Sequence, residues 1–340
     1  MCTIPKRFEP SFSKRTHFSS TFAPPGTIVK YARRVVQQLV DTMRDIWETA
    51  NANPKLGGHL LPEILGIAAS YRRWGNSECS LRLVLNAARE AGADTEFRRL
   101  TDFNLLHCRG CLKCVYGEEG CPLEDDLYSL LELCEAADSL VLSAPVYFLS
   151  ISSTLTTLMD RLLTTDALPD DRSDRPAVTI NILGNRKWRG VGRGLLNLTA
   201  SMLGFKVVES LDVVAEGPGD VLMNKVNCSR LAELGAALGT GEELSGRAAP
   251  GLCPGCRSDF FRIEPPFIIC PVCGYRGDLA EYAAHGAFRD AGSEPRLGRK
   301  WLKWHIDDWL RPSAARYMKR RREVLRKMRQ LKKESASDER

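Results

Sequence analysis

The stretch ILGIAASYRRWGNS, residues 64–77, decides how this chain is read. Ile64 to Ala68 is apolar enough to be a buried parallel strand. The chain then opens into small and polar residues, and an amphipathic segment begins at about Glu78. A strand that empties through such a loop into a helix start gathers backbone N–H groups and the positive end of the helix dipole, which together suit an anion. Ser70, Asn76 and Ser77 add donors, and Arg72 with Arg73 favours phosphate. The glycines match neither G-x-x-x-x-G-K-[ST] nor G-x-G-x-x-G, so both common nucleotide fingerprints are missing. The alternative is an ordinary strand–helix turn.

Outward from this stretch, strand and helix signals alternate. Strands are expected at 64–70, 95–100, 139–143, 177–183 and 206–214, and helices at 78–91, 123–137, 152–163, 195–203 and 220–238. Five strands alternating with helices indicate an α/β parallel sheet covered on both faces. Ligands of such sheets sit beyond the carboxyl ends of the strands, at the switch point. The loops that matter then follow the first, third and fourth strands: Tyr71–Ser77, Pro145–Ser150 and Gly184–Gly194. The second, PVYFLS, offers a rigid turn at Pro145 and Val146 with two aromatic faces, Tyr147 and Phe148, against which a flat ring can lie. The third, GNRKWRGVGRG, starts at Gly184 and Asn185, is glycine-rich and basic, and carries Trp188. A phosphate at one end and aromatic turns at the other fit flavin mononucleotide (FMN); aromatic residues at a strand end also occur as plain packing.

Two cysteine groups stand out among the chain's 12 cysteines. Cys108, Cys111, Cys114 and Cys121 give C-x2-C-x2-C-x6-C, followed by Pro122. Four thiolates on a turning loop suit an iron–sulfur cluster, with Gly110, Gly117 and Gly120 supplying backbone freedom; zinc or a metal-free turn remains open. Cys253, Cys256, Cys270 and Cys273 form two C-x2-C knuckles 13 residues apart, the spacing of a tetrahedral metal ribbon. Zinc is the first choice there. The pattern also resembles the short rubredoxin module of rubrerythrins, which implies redox-active iron as the alternative. Cys2, Cys79, Cys134 and Cys228 are isolated and are expected to pack as small apolar residues.

The formal charge of +6 is uneven. Residues 311–340 hold twelve Lys or Arg against four Asp or Glu, so the remainder is slightly acidic. A helix is expected from Ser313 to about Lys333, with Tyr317, Val324, Met328 and Leu331 in one stripe that packs on the body or on a second subunit. An amphipathic helix is also expected from Thr27 to about Ala50. His285 and His305 have no ligand-like neighbours in sequence and are read as structural. No run of 18 or more apolar residues predicts a membrane span. The opening residues lack the apolar stretch of a secretory signal. Together with ligand-type cysteine spacing, this predicts a reducing, cytoplasmic setting.

Residues 64–163 resemble the flavodoxin-like NADPH-dependent FMN reductase family, especially its iron–sulfur flavoprotein branch. The resemblance rests on IAASYRRWGNSE, CRGCLKCVYGEEGCPLEDD and SAPVYFLSISSTLTTLMDR, in that order. Ala68, Ala69 and Tyr71 stand where members commonly carry Gly-Ser-Pro. The resemblance implies a five-stranded flavodoxin-like domain whose FMN phosphate is held by Ser70, Arg72, Asn76 and Ser77, with the ring against Pro145, Val146, Tyr147 and Phe148. It also implies one 4Fe-4S cluster beside the flavin. The expected organisation is an extension (1–60), an FMN domain (61–245) with a cysteine loop (101–122), a metal ribbon (250–280) and a basic helical tail (281–340). The expected activity is electron transfer between NAD(P)H or ferredoxin and a small-molecule acceptor, in a homo-oligomer. The alternatives are an NAD(P)H-dependent FMN or quinone reductase without a cluster, and a regulatory protein whose ribbon and basic tail contact nucleic acid.

Overall fold

The five strands expected before residue 215 form one parallel sheet. The computed structural model describes residues 63–117, 120–167, 174–244, 249–285 and 303–338. The helix expected over 27–50, and Cys2, lie outside the described residues. In chain order the elements are β1 (Glu63–Ala68), α1 (Asn76–Glu90), β2 (Asp94–Arg99), α2 (Lys113–Tyr116), α3 (Leu127–Ala136) and β3 (Ser139–Pro145). There follow α4 (Ser153–Met159), β4 (Pro176–Leu183), α5 (Gly192–Met202), β5 (Lys206–Val214) and α6 (Lys225–Thr240). The ribbon contains β6 (Arg262–Glu264), β7 (Phe267–Ile269) and β8 (Arg276–Asp278), then α7 (Leu279–His285), and the chain closes with α8 (Arg311–Asp338).

The five-stranded sheet has the order β2-β1-β3-β4-β5, with every pairing parallel. This is the flavodoxin-like arrangement, and its switch point lies between β1 and β3. Strand alternation sorts the core. Ile64 and Ala68 pack with Leu81, Val84 and Leu85 of α1 and Leu231, Leu234 and Leu238 of α6. Leu65, Ile67 and Ala69 face the other way, onto Leu127 and Leu131 of α3, Leu155 and Leu158 of α4, and Leu196 of α5. Gly235 lets α6 lie directly on α1, because a Cβ there would fall 2.1 Å from the Val84 carbonyl oxygen.

Helix limits differ from expectation where side chains or glycines intervene. α1 starts at Asn76 because Gly75 supplies an extended N-cap and accepts the Cys79 N–H at 2.9 Å. α3 starts only at Leu127, because Asp125 and Asp126 bind the backbone N–H groups of Leu106 and Asn104 rather than entering the helix. The single helix expected over 220–238 is split: a 3-10 turn spans Asp220–Met223, and Asn224 then caps α6 through its side chain.

The tail corrects one expectation. α8 is longer than predicted, and of the two packings expected for its stripe, on the body or on a second subunit, Tyr317 and Met328 do not take the first, since both are exposed. Contact comes instead from the π-helical turn His305–Leu310, whose Ile306 is buried with Val115. Arg311 Nε donates to Val115 O at 2.8 Å and the Tyr116 hydroxyl to Leu310 O at 2.8 Å, so this turn sits on α2. His305 stacks on Trp309 with ring centroids 5.2 Å apart. Among the described residues, no helix is long and apolar enough to cross a membrane.

Candidate functional site

The loop after β1 is preformed by one buried carboxylate. Glu78 accepts the N–H of Trp74 at 2.9 Å and is paired with Arg99 (2.5 Å) and Arg82 (2.9 Å). Burial alone would raise its pKa, but the Arg99, Trp74 and Arg82 hydrogen bonds overcome that and hold it below the ordinary carboxylate range. Trp74 takes a positive φ of 54°, and its indole lies under Arg82 at 4.8 Å. The loop therefore turns back over the start of α1. The first-turn N–H groups of that helix have no intrahelical acceptor and face the strand ends. Ser70 is buried, and its Oγ accepts the Arg72 N–H at 3.2 Å, while the Arg72 side chain is exposed at the rim.

The loop after β3 folds as a tight two-residue turn. Tyr147 and Ser150 exchange backbone bonds at 2.8 and 3.1 Å, and Phe148 and Leu149 carry φ values of 47° and 67°. Two successive non-glycine residues with positive φ define a type I′ turn and store about 1 kcal/mol or more each. Neighbouring loops brace it. Val146 N donates to Ile182 O at 2.8 Å, Val191 N to Leu149 O at 2.8 Å, and Ser152 Oγ to Ala69 O at 3.0 Å. Gly190 is required here: a Cβ at that position would lie 2.0 Å from the Leu149 carbonyl oxygen.

These loops enclose one cleft at the carboxyl edge of the sheet. Ser70, Arg72, Asn76 and Ser77 line it on one side, and Pro145, Val146, Tyr147 and Gly184 on the other. Two predicted residues fall outside the lining. Phe148 is 88% exposed, with its ring edge-on to Trp188 at 6.4 Å. Asn185 turns its Oδ1 to the Lys187 N–H at 2.9 Å and caps the short turn 186–188. Asn76 lies in the cleft but its amide is already engaged. Nδ2 donates to Ala215 O (3.3 Å) and Gly217 O (2.8 Å), and Oδ1 accepts from Val221 N (3.2 Å). Its side chain pins the loop after β5 and is not free to bind a ligand. That loop brings Ala215, Glu216 and Pro218 into the cleft, which sequence reasoning missed. The signal was the Gly-Pro-Gly turn beyond the fifth strand.

The first cysteine group forms a second cavity. Cys108, Cys111, Cys114 and Cys121 all line it, together with Asp160 and Arg161 at the end of α4. Gly110 (φ 62°), Leu112 (φ 57°) and Gly120 (φ 73°) supply the reversals that wrap the loop. Gly110 N donates to the Cys108 sulfur at 3.4 Å. Cys121 is positioned by its N–H bond to the Tyr128 hydroxyl at 2.6 Å, which also meets Thr164 Oγ1 at 2.9 Å. Burial, then the neighbouring thiols, push the Cys114 pKa up. The set fits a cluster better than a single ion. A tetrahedral zinc holds its sulfurs about 3.8 Å apart, given Zn–S near 2.3 Å. Among the described residues, no three of these thiols approach within 4.8 Å of one another. The buried Arg161 guanidinium lies beside them and interacts with the Cys121 thiol, a donor suited to an anionic sulfur group.

The second group is compact. The four sulfurs of Cys253, Cys256, Cys270 and Cys273 lie within 4.8 Å of one another, and all four residues are buried. Cys253 and Cys273 approach to 3.4 Å and Cys256 and Cys270 to 3.6 Å, the separations of a tetrahedral thiolate site. Each knuckle closes alike: Arg257 N donates to Cys253 O and Gly274 N to Cys270 O, both from a residue with positive φ. The ribbon is joined to α5. Asn197 Nδ2 donates to Cys256 O at 2.8 Å, and Arg189 and Arg193 form ion pairs with both Asp212 of β5 and Asp259 of the ribbon. Gly194 makes room for Phe260, whose ring a Cβ would meet at 2.1 Å.

Residues 62–217 match the family model described as NADPH-dependent FMN reductase. An iron-sulfur flavoprotein of Methanocaldococcus jannaschii is 43% identical over 100 residues, 29% of this chain and 51% of that protein. An iron-sulfur flavoprotein of Archaeoglobus fulgidus is 31% identical over 99 residues, 29% of this chain and 44% of that protein. The chain thus spans about half the length of the curated relatives it matches. A solved structure titled flavone reductase superposes with a TM-score of 0.59 at 19% identity, covering 76% of this chain and 92% of that one, and supports the fold. Residues 62–217 therefore hold a flavodoxin-like fold and are similar to the NADPH-dependent FMN reductase family over that span.

Proposed function

We propose that the chain is an FMN-dependent oxidoreductase that moves electrons between NAD(P)H or ferredoxin and a small-molecule acceptor, using FMN and a 4Fe-4S cluster. One observation carries this reading: α4 joins the two cavities. Its start follows the turn at Tyr147–Ser150, and Asp160 and Arg161 just past its end line the cysteine cavity. Seven helical residues span about 10 Å, so the two sites are neighbours.

In this reading the Ser70 hydroxyl, the N–H groups at Asn76 and Ser77, and the Arg72 guanidinium hold the FMN phosphate. Pro145, Val146, Tyr147, Gly184 and the loop 215–218 hold the ring, with Phe148 and Asn185 at its margin. FMN when bound accepts two electrons as hydride or one at a time, which lets it connect unlike donors and acceptors. The chain's own part is to orient the ring on a rigid turn and to keep water from one face. Cys108, Cys111, Cys114 and Cys121 hold the cluster. The ribbon cysteines hold zinc, or iron as the alternative, and give the loop 186–194 a fixed wall.

The organisation we assign is an FMN domain over 61–245 with its cysteine loop at 101–122, a ribbon over 250–280 and a basic tail beyond. The exposed thiols of the first group require a reducing compartment, taken as the cytoplasm. The surplus positive charge of α8, rooted beside the cysteine loop, suits an acidic redox partner such as ferredoxin. Exposed Tyr317, Met318 and Met328 suit a second copy of the chain.

Anaerobic purification with flavin, iron and acid-labile sulfide assays tests the proposal. About four iron and four sulfide per chain, lost together in C111S, are expected. Flavin without sulfide leaves a plain FMN or quinone reductase.

A further inference from the structure

Arg161 is 3% exposed, and its guanidinium is built into the cysteine loop. Nη1 donates to Leu106 O at 2.7 Å and to Asp125 Oδ2 at 2.6 Å, and Nη2 donates to Asp125 Oδ1 at 3.2 Å. Asp125 in turn accepts the N–H groups of Leu106 (2.8 Å) and Leu127 (3.2 Å). The pair therefore clasps the chain just before Cys108 to the chain just after Cys121. The guanidinium also turns to the cysteines: it interacts with the Cys121 thiol, and its buried Nε has no oxygen or nitrogen acceptor, on a side chain that lines the cavity of the four cysteines. A pair serving only as a clasp has no use for that arrangement. A buried guanidinium set against a thiol of that cavity suits an anionic, sulfur-ligated group there. Arginine also keeps its charge at every relevant pH, whereas a buried lysine can lose it.

We propose that Arg161 is a positioning residue that sets the reduction potential of the cluster held by Cys108, Cys111, Cys114 and Cys121. The inference rests on the cluster reading above. A thiolate-ligated cluster is anionic and gains one further negative charge when it takes up an electron. A fixed cation in a poorly solvated site stabilises that reduced form more than the oxidised one, and so raises the potential. Asp125 binds two guanidinium nitrogens, and its opposing charge moderates the effect. Removing either charge then shifts the potential in opposite directions, which a purely structural clasp does not do.

The test is a redox titration of anaerobically purified full-length protein, read by visible absorbance and by the spin signal of the reduced cluster, with iron and sulfide counted beforehand. R161Q is expected to retain the cluster and reduce less readily by tenfold or more, a downward shift of 59 mV or more for a one-electron couple. D125N is expected to shift upward, and R161K to stay nearer wild type than R161Q. A wild-type count with neither iron nor sulfide at this site overturns the cluster reading and the role with it. A cluster whose potential is the same in wild type and R161Q overturns the role alone. Should R161Q lose its iron, D125N decides: an upward shift supports the role, and no shift or a downward one overturns it.

Discussion

Asn197 Nδ2 donates to the carbonyl oxygen of Cys256 at 2.8 Å, a fully buried bond that ties a sheet-covering helix to a cysteine knuckle. The Asn197 amide oxygen also accepts from Thr179 Oγ1 at 2.6 Å and Ser210 Oγ at 3.1 Å. Thr179 Oγ1 and Ser210 Oγ also bond each other at 2.8 Å. Truncation in N197A therefore leaves the Cys256 carbonyl and one hydroxyl donor without their partner, and a loss of about 2–4 kcal/mol is expected in chemical denaturation. A loss below about 0.5 kcal/mol would show that the ribbon is merely tethered.

The same junction links the ribbon to the cleft. Arg189, paired with Asp212 and Asp259, directly precedes Gly190, which packs on Leu149. Stripping the ribbon metal with a chelator, or replacing a ligand in C256S, is expected to weaken FMN binding roughly tenfold, about 1.4 kcal/mol, in a fluorescence titration. Unchanged affinity in metal-free protein counts against the coupling.

Gly190 itself offers a sharper probe of the loop. G190A adds a Cβ against the Leu149 carbonyl and forces a side chain onto a φ of 55°. The expected result is a stability loss of about 1–3 kcal/mol with weaker FMN binding. A thermal midpoint equal to wild type contradicts the close approach.

Glu78 sets a pH dependence. Its pKa is depressed in the folded protein, so the unfolded chain takes up the proton first as pH falls. Its contribution is full above the ordinary glutamate value near 4.5 and is lost as pH drops through the lower folded value. E78Q leaves Arg99 and Arg82 without their buried partner and is expected to cost about 3 kcal/mol at neutral pH. Below about pH 4.5 its stability curve should run flatter than that of wild type. Parallel curves contradict the assignment.

Much of this was legible in the residues. β1, β3 and β4 announced themselves as short apolar runs between helical segments, because both faces of an inner parallel strand are buried. The edge strand β2, DTEFRR, has no fully buried residue. β5 matches its expected limits, residues 206–214, despite Glu209, Ser210 and Asp212. The three loops named from the pattern do border the cleft. What stayed hidden depended on partners distant in sequence. Arg193 falls by sequence in the basic loop Gly184–Gly194, and Asn197 and Thr199 are polar residues of the expected helix, yet all three are buried, Arg193 and Asn197 where the ribbon covers α5. Gly192 and Gly194 discourage a helix by propensity, yet their missing side chains admit Val146 and Phe260, so α5 starts before its expected first residue, Leu195. Asn76 looked like a ligand because its amide can donate; only the fold shows that the loop after β5 consumes it.

Arg72 separates phosphate recognition from ring recognition. R72A removes the exposed guanidinium at the cleft rim, so FMN affinity is expected to fall about tenfold while riboflavin affinity holds. Calorimetric titration with both flavins reads the difference. Equal losses for the two place the phosphate elsewhere.

The central claim is that the cleft between Ser70 and Tyr147 is an FMN site. Its most direct measurement is a fluorescence titration of flavin-stripped protein with FMN. One FMN bound per chain, with saturable quenching of the flavin emission, is the result expected. Emission that stays equal to that of free FMN at every protein concentration would contradict it.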